Sequence, residues 1–140
     1  RFREADISGY KDFVIDLSNK KITDPIINNQ YSIIIADVPC SGSGTWGRTP
    51  EQLMYFSEKK IEEYAALQKQ IVSNIIPHLQ PGGYFLYITC SVFKKENEEA
   101  VSFIQKILGL ELVKTEILKG YDKKADTMFA ALLKNLKSSL

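Results

Sequence analysis

The chain has 140 residues, a net charge of +1, 44% apolar residues and 25% charged residues. That is room for one domain with a core and not for two, and the balanced charge gives no overall basic field that would announce nucleic acid. No apolar stretch approaches the ~20 residues that span a bilayer, and two cysteines, Cys40 and Cys90, are too few for a disulfide scaffold.

Taken in chain order, short apolar runs alternate with helical stretches. Phe13-Val14-Ile15 ends in Asp16 and predicts a short buried strand. Tyr31 to Ala36 is a run of strand formers and predicts a second. Thr49-Pro50-Glu51-Gln52 has the pattern of a helix start, with Thr as N-cap and Pro at the first helical position. A further start at Ser57-Glu58 leads into a long amphipathic helix with Ile61, Tyr64, Leu67 or Gln68, Ile71 and Ile75 on one stripe. Pro81-Gly82-Gly83 predicts a turn, and Tyr84 to Ile88 a third buried strand that stops at Thr89-Cys90-Ser91. A charged helix is expected over about Lys95 to Leu108, then strands over Leu110 to Ile117 and Asp126 to Leu133 that form an antiparallel hairpin. Strands alternating with helices imply a parallel sheet, made mixed by that hairpin.

In open α/β sheets, ligands sit outside the carboxyl ends of the strands. Asp16, Asp37-Val38-Pro39-Cys40 and Thr89-Cys90-Ser91 all follow such ends. Adjacent strands would bring two cysteines fifty positions apart to one rim, together with two carboxylates. Packing alone gives little reason for that combination, although a free cysteine is often just a small buried hydrophobe.

Asp37-Val38-Pro39-Cys40-Ser41-Gly42-Ser43-Gly44-Thr45 resembles the D-A-P-C-S-G-T-G stretch of the Sun/Nop2 (RsmB-like) family of RNA cytosine-5 methyltransferases. Thr89-Cys90-Ser91 followed by Glu96-Asn97-Glu98 resembles that family's T-C-S…E-E-N-E stretch. Leu79-Gln80-Pro81-Gly82-Gly83 resembles its L-K-P-G-G, and Met128-Phe129-Ala130-Ala131 its terminal F-F-A-A strand. The departures are Val38 for Ala, Ser43 for Thr and Lys94-Lys95 for Pro-Glu, and none removes a reactive group. The resemblance implies an α/β, Rossmann-like S-adenosylmethionine-dependent methyltransferase sheet. It would be mostly parallel with an antiparallel terminal hairpin, and incomplete, with the first two strands missing. No glycine-rich loop precedes Asp16 where the family would have it. Residues 1–140 are therefore expected to be the carboxyl-terminal half of the catalytic domain, inactive alone.

The family chemistry explains the residue types. Carbon 5 of cytosine becomes nucleophilic when a thiolate adds to carbon 6, which divides one hard step into two easier ones. Cys90 would be the nucleophile, its thiol acidified by a following helix N-terminus. Cys40 would assist product release. Asp37 would hold the pyrimidine edge or the methyl-donor end and stabilise developing charge. Asp16 would accept from the adenine amine of S-adenosylmethionine, and Pro39 would hold the loop. Gly42 and Gly44 would let backbone approach a flat base. The two sulfurs are expected on the order of 5–8 Å apart, the scale set by aromatic stacking.

The resemblance further implies RNA, rRNA or tRNA, as partner, with no metal, no membrane and a cytoplasmic location. Trp46 would stack on a base and Arg48 touch phosphate, against the plainer readings of a packed aromatic and a solvated charge. His78 reads as a surface residue near a helix C-terminus. Lys94, Lys95, Lys123 and Lys124 would meet an RNA backbone on one reading, but with Glu96, Glu98 and Glu99 beside the first pair the better reading is a solvated face. With the first two strands missing, the Tyr31–Ala36 strand would pair with Phe13–Ile15 or with a second copy, edge to edge. Other classes stay open: a DNA cytosine-5 methyltransferase, in which the Pro-Cys cysteine is the nucleophile, a non-catalytic RNA-binding or assembly module, and a redox switch of the two cysteines.

Overall fold

The computed structural model describes residues 4–19 and 29–137. Four strands, β1 (Tyr31–Asp37), β2 (Leu79–Thr89), β3 (Glu111–Leu118) and β4 (Met128–Lys134), form one sheet in the order β1-β2-β4-β3. Two helices, α1 (Glu58–Ile75) and α2 (Glu98–Leu108), accompany them. α1 starts after Ser57, and the Thr49-Pro50 start makes a short 3-10 segment, Pro50–Tyr55.

β1 and β2 are parallel, joined through α1, whereas β4 runs antiparallel to both β2 and β3. The sheet is mixed, as expected. Among the described residues, however, its only parallel pairing is β1 with β2, so "mostly parallel" does not describe it. The reason is that the closing hairpin inserts β4 directly beside β2.

Register puts Ile34 beside Phe85 and Ala36 beside Tyr87, and then Phe85 beside Leu133, Tyr87 beside Ala131 and Thr89 beside Phe129. Because side chains alternate along a strand, all of these share one face. Val72 and Ile75 of α1 and Ala100, Val101 and Ile104 of α2 cover that face and complete the core. The stripe of α1 that is buried is Ala65, Gln68, Val72 and Ile75. It lies about one position beyond the apolar stripe, and it places a glutamine at 0% exposure.

The Pro81-Gly82-Gly83 turn lies within β2 as a bulge, since Tyr31 pairs with Leu79 and Ile33 already with Tyr84. Gly82 N–H donates to the Asn135 carbonyl and Asn135 N–H to the Gly83 carbonyl, which pins the bulge.

Phe13–Ile15 is not a strand. Phe13 is 47% exposed and Val14 fully so. The segment is held instead through the Asn74 side-chain amide, which donates to the carbonyls of Leu17 and Asn19. A groove of about 600 Å³ separates residues 11–17 from β1, with Asp12, Phe13 and Ile15 on one wall and Ile33, Ile35 and Asp37 on the other. Three apolar residues in a row satisfy a strand pattern, but without a neighbour in register their backbone gains no ladder. Direct pairing of Phe13–Ile15 with Tyr31–Ala36 is thereby corrected.

Candidate active site at the cysteine rim

β1 and β2 are parallel neighbours, so their carboxyl ends emerge side by side. β1 continues through Val38, whose N–H still donates to the Ile88 carbonyl, into Pro39-Cys40. β2 ends at Thr89 and continues into Cys90. Both cysteines are half-buried free thiols, and their sulfurs lie 3.3 Å apart. The expected convergence is found, but the sulfurs touch and do not straddle a 5–8 Å gap. The cause lies in the residues that follow them.

Ser41 N–H donates to Glu96 Oε1 at 2.7 Å, and Ser41 Oγ to Glu96 Oε2 at 2.6 Å. Ser91 Oγ donates to the same Oε2. Ser43 Oγ lies 3.3 Å from Ser91 Oγ and accepts from Val92 N–H at 2.9 Å. One carboxylate and three hydroxyls thus draw the two cysteine loops together. Glu96 is 0% exposed, which corrects its placement on a solvated face. A buried carboxylate is tolerated only where donors replace water, and here three do.

Neighbouring groups hold that network from below. Tyr87 Oη donates to the Glu96 carbonyl at 2.6 Å. Thr89 Oγ1 donates to Asn97 Oδ1, and Asn97 Nδ2 to the Ser91 carbonyl. Burial and the nearby Glu96 charge push the Tyr87 phenol well up. Gln68 Nε2 donates to the Pro39 carbonyl at 2.9 Å and fixes the residue before Cys40.

Gly44 approaches other backbone, not open space for a base. Its N–H donates to the Cys90 carbonyl and its carbonyl accepts from Thr127 N–H. A Cβ there would lie 2.0 Å from the Thr127 oxygen. Gly42 adopts φ +70°, which favours glycine.

The surroundings of Cys40 perturb its thiol. Burial pushes its pKa up to about 12, opposed by the Gly42 and Cys90 N–H groups at its sulfur. It therefore keeps its proton at neutral pH. Cys90 does not adjoin a helix N-terminus as expected: Ser91–Asn97 form a loop, and α2 begins only at Glu98.

Asp37 ends β1 exposed, without a side-chain hydrogen bond or ion pair among the described residues, and lines the groove with Pro39. Asp16 sits in a turn, its Oδ1 accepting from Ser18 N–H at 3.0 Å and Ser18 Oγ at 2.6 Å, which holds its carboxyl below the ordinary value. It follows no strand and does not line the groove. Trp46 packs edge-on against Phe56 and Phe93, at 4.9 and 6.0 Å. Arg48 makes a two-pronged pair with Asp126. Trp46 is thus packed among aromatics, and Arg48 is a paired charge where the plainer expectation is a solvated one.

Sequence reasoning gives Glu96, Gln68, Ser41 and Ser91 no role of their own. The available signal is the acid just ahead of the Asn97 N-cap, within the T-C-S…E-N spacing.

The groove fits a flat donor group in part. Its wall is apolar, with Ile33 and Ile35 exposed at 60% and 64%, and Asp37 offers a free acceptor at the rim end.

Known proteins resemble this chain in sequence and in fold. Residues 7–134 match the family model described as 16S rRNA methyltransferase RsmB/F. Ribosomal RNA small subunit methyltransferase B of Erwinia tasmaniensis is 39% identical over 89 residues, 63% of this chain and 21% of that protein. The same-named protein of Pectobacterium atrosepticum is 36% identical over 114 residues, 75% of this chain and 27% of its own length. The chain thus spans about a fifth to a quarter of these relatives. NSun6 from Pyrococcus horikoshii with SFG superposes with a TM-score of 0.82 at 22% identity, over 98% of this chain and 37% of that one, which shows the shared fold. With a family match across nearly its whole length, over a sheet whose adjacent strand ends carry the Pro-Cys and Thr-Cys pair, the chain belongs to the RsmB/F family of rRNA methyltransferases.

Proposed function

We propose that this chain carries the cysteine half of an S-adenosylmethionine-dependent RNA cytosine-5 methyltransferase acting on rRNA or tRNA. The observation that carries the reading is the 3.3 Å meeting of Cys40 and Cys90 at the ends of two parallel neighbours. The cofactor, when bound, supplies an electrophilic methyl group. Asp37 and Pro39 at the groove would hold it.

The Cys90 thiolate adds to carbon 6 of cytosine. A carbon–sulfur bond forms and the ring's electron pair moves to carbon 5, which becomes the nucleophile. Asp37, free at the rim, stabilises the altered ring. Once carbon 5 has been alkylated and has lost its proton to a base, its electron pair re-forms the ring double bond. The carbon–sulfur bond breaks and its pair returns to Cys90. Cys40, still protonated and touching that sulfur, donates to the departing thiolate and so assists release.

In the full-length enzyme, Cys90→Ala abolishes methyl transfer, while Cys40→Ala accumulates a protein–RNA adduct that survives denaturation. Adduct trapped by Cys90→Ala instead would reverse the roles and favour the DNA-type assignment. The 140 residues taken alone are expected to be inactive and to bind the donor too weakly to measure, since no glycine-rich loop precedes Asp16 to cradle the donor's amino-acid end. Titration calorimetry checks this, and saturable micromolar binding overturns it.

A further inference from the structure

We propose that Glu96 is the positioning residue that sets the approach of Cys40 to Cys90. The inference rests on reading those cysteines as the reacting pair, but the geometry behind it stands apart from any substrate. Ser41 and Ser91 are the residues immediately after the two cysteines. A single carboxylate takes both: Oε1 accepts from Ser41 N–H, and Oε2 from the hydroxyls of Ser41 and Ser91. Each sulfur is therefore one residue from the same anchor.

The anchor is itself fixed. Its carbonyl accepts from Tyr87 Oη on β2, its N–H donates to the Phe93 carbonyl, and its side chain is 0% exposed. A carboxylate suits the position because it only accepts. A glutamine keeps the size and one oxygen, but turns an N–H₂ toward hydroxyls that now donate. The hydroxyls can rotate to accept, whereas Ser41 N–H cannot. Glu96→Gln therefore keeps the fold and loosens the clamp. The loops then drift apart by the slack of weaker, neutral hydrogen bonds.

Disulfide exchange reads that slack directly, in the full-length protein, with neither RNA nor methyl donor. The probe is glutathione disulfide. One cysteine thiolate attacks it, forming a mixed disulfide and expelling one glutathione thiolate. The second cysteine then attacks the mixed disulfide, closes the Cys40–Cys90 bond and expels the other. The two protein thiols lose two electrons and two protons, and two glutathione thiols gain them. The effective concentration of one cysteine at the other, measured from this equilibrium by peptide mapping, depends on how closely they are held.

In Glu96→Gln it falls at least about tenfold, as expected for losing a charge-assisted hydrogen bond, while Glu98→Gln on the exposed neighbouring turn leaves it unchanged. A purely structural role would lower the melting temperature and leave this ratio alone below the transition. A ratio within about twofold of the parent in folded Glu96→Gln overturns the proposal, as does a parent protein in which the bond never closes. If Glu96→Gln does not fold, Ser41→Ala and Ser91→Ala decide in its place. Each is expected to lower the ratio severalfold, and no change in either overturns the clamp. Loss of methyl transfer with the ratio intact would instead count against the proposed chemistry.

Discussion

The carboxyl-end rim and the outer flank of β1 belong to the same sheet, yet they are built by opposite rules. At the rim, every short polar side chain between Thr89 and Asn97 has a partner, and two loops fifty positions apart are locked together by Glu96. Along the flank, Ile33 and Ile35 stand open to a groove, Asp37 has no partner among the described residues, and no described strand pairs with β1 there. Covalent chemistry needs atoms held to fractions of an ångström, and a saturated hydrogen-bond network supplies that rigidity. A wall for a bound group or a further strand needs only shape and apolar area. The comparison teaches that the meeting of the two cysteines is internal to these residues, while the flank is open apolar surface.

The sharpest way to break the contrast is to loosen the rim by volume. Gly44→Val would drive a side chain into the Thr127 carbonyl, 2.0 Å from its Cβ, and into the Cys90 carbonyl at 2.9 Å. We expect a loss of about 3 kcal/mol or more in urea denaturation, and the two sulfurs should no longer touch. A mild effect would mean that the Gly44 strap is not part of the rim.

A smaller effect is expected from the protonation of Cys40. Its folded pKa is raised, from 9.0 to about 12, because burial disfavours the thiolate. The neutral form is the one the fold prefers, so the contribution to stability is full below the unfolded value of 9.0 and is lost as pH rises from there toward about 12. Under reducing conditions, the urea midpoint should fall with pH across that window more steeply in the parent than in Cys40→Ser. The difference should amount to less than one proton, because the thiol is only partly buried. Parallel curves would show that the thiol ionises freely in the fold.

The smallest effect on the monomer is expected at the flank. Ile35→Lys replaces a side chain that is 64% exposed and should alter stability by no more than about 0.5 kcal/mol. If two copies pair edge to edge through β1, the same change should abolish the dimer in sedimentation velocity, since a lysine on an edge strand opposes pairing. A dimer unaffected by Ile35→Lys would place the interface elsewhere.

Much of this was legible from local order. Strand formers followed by Asp-Val-Pro-Cys, a Thr-Cys-Ser at the end of a second apolar run, and 3.6-residue periodicity in α1 and α2 made four elements and the two cysteine-bearing strand ends readable. They did so because strand and helix periods are short-range properties of the chain. Phe13–Ile15 shows the limit: its composition suits a strand, but a strand exists only where a neighbour offers hydrogen bonds, and a groove lies there instead. Glu96 shows the deeper one. In the run Lys94-Lys95-Glu96-Asn97-Glu98-Glu99 it reads as one charge among several on a solvated surface. Whether a carboxylate is buried depends on donors that replace its water, and those come from Ser41, 55 positions away, and from Ser91. The sequence by itself determined that two cysteines follow two strand ends. Only the tertiary structure decided that two sulfurs touch and that a buried acid holds them there, because desolvation is settled by what folding brings alongside.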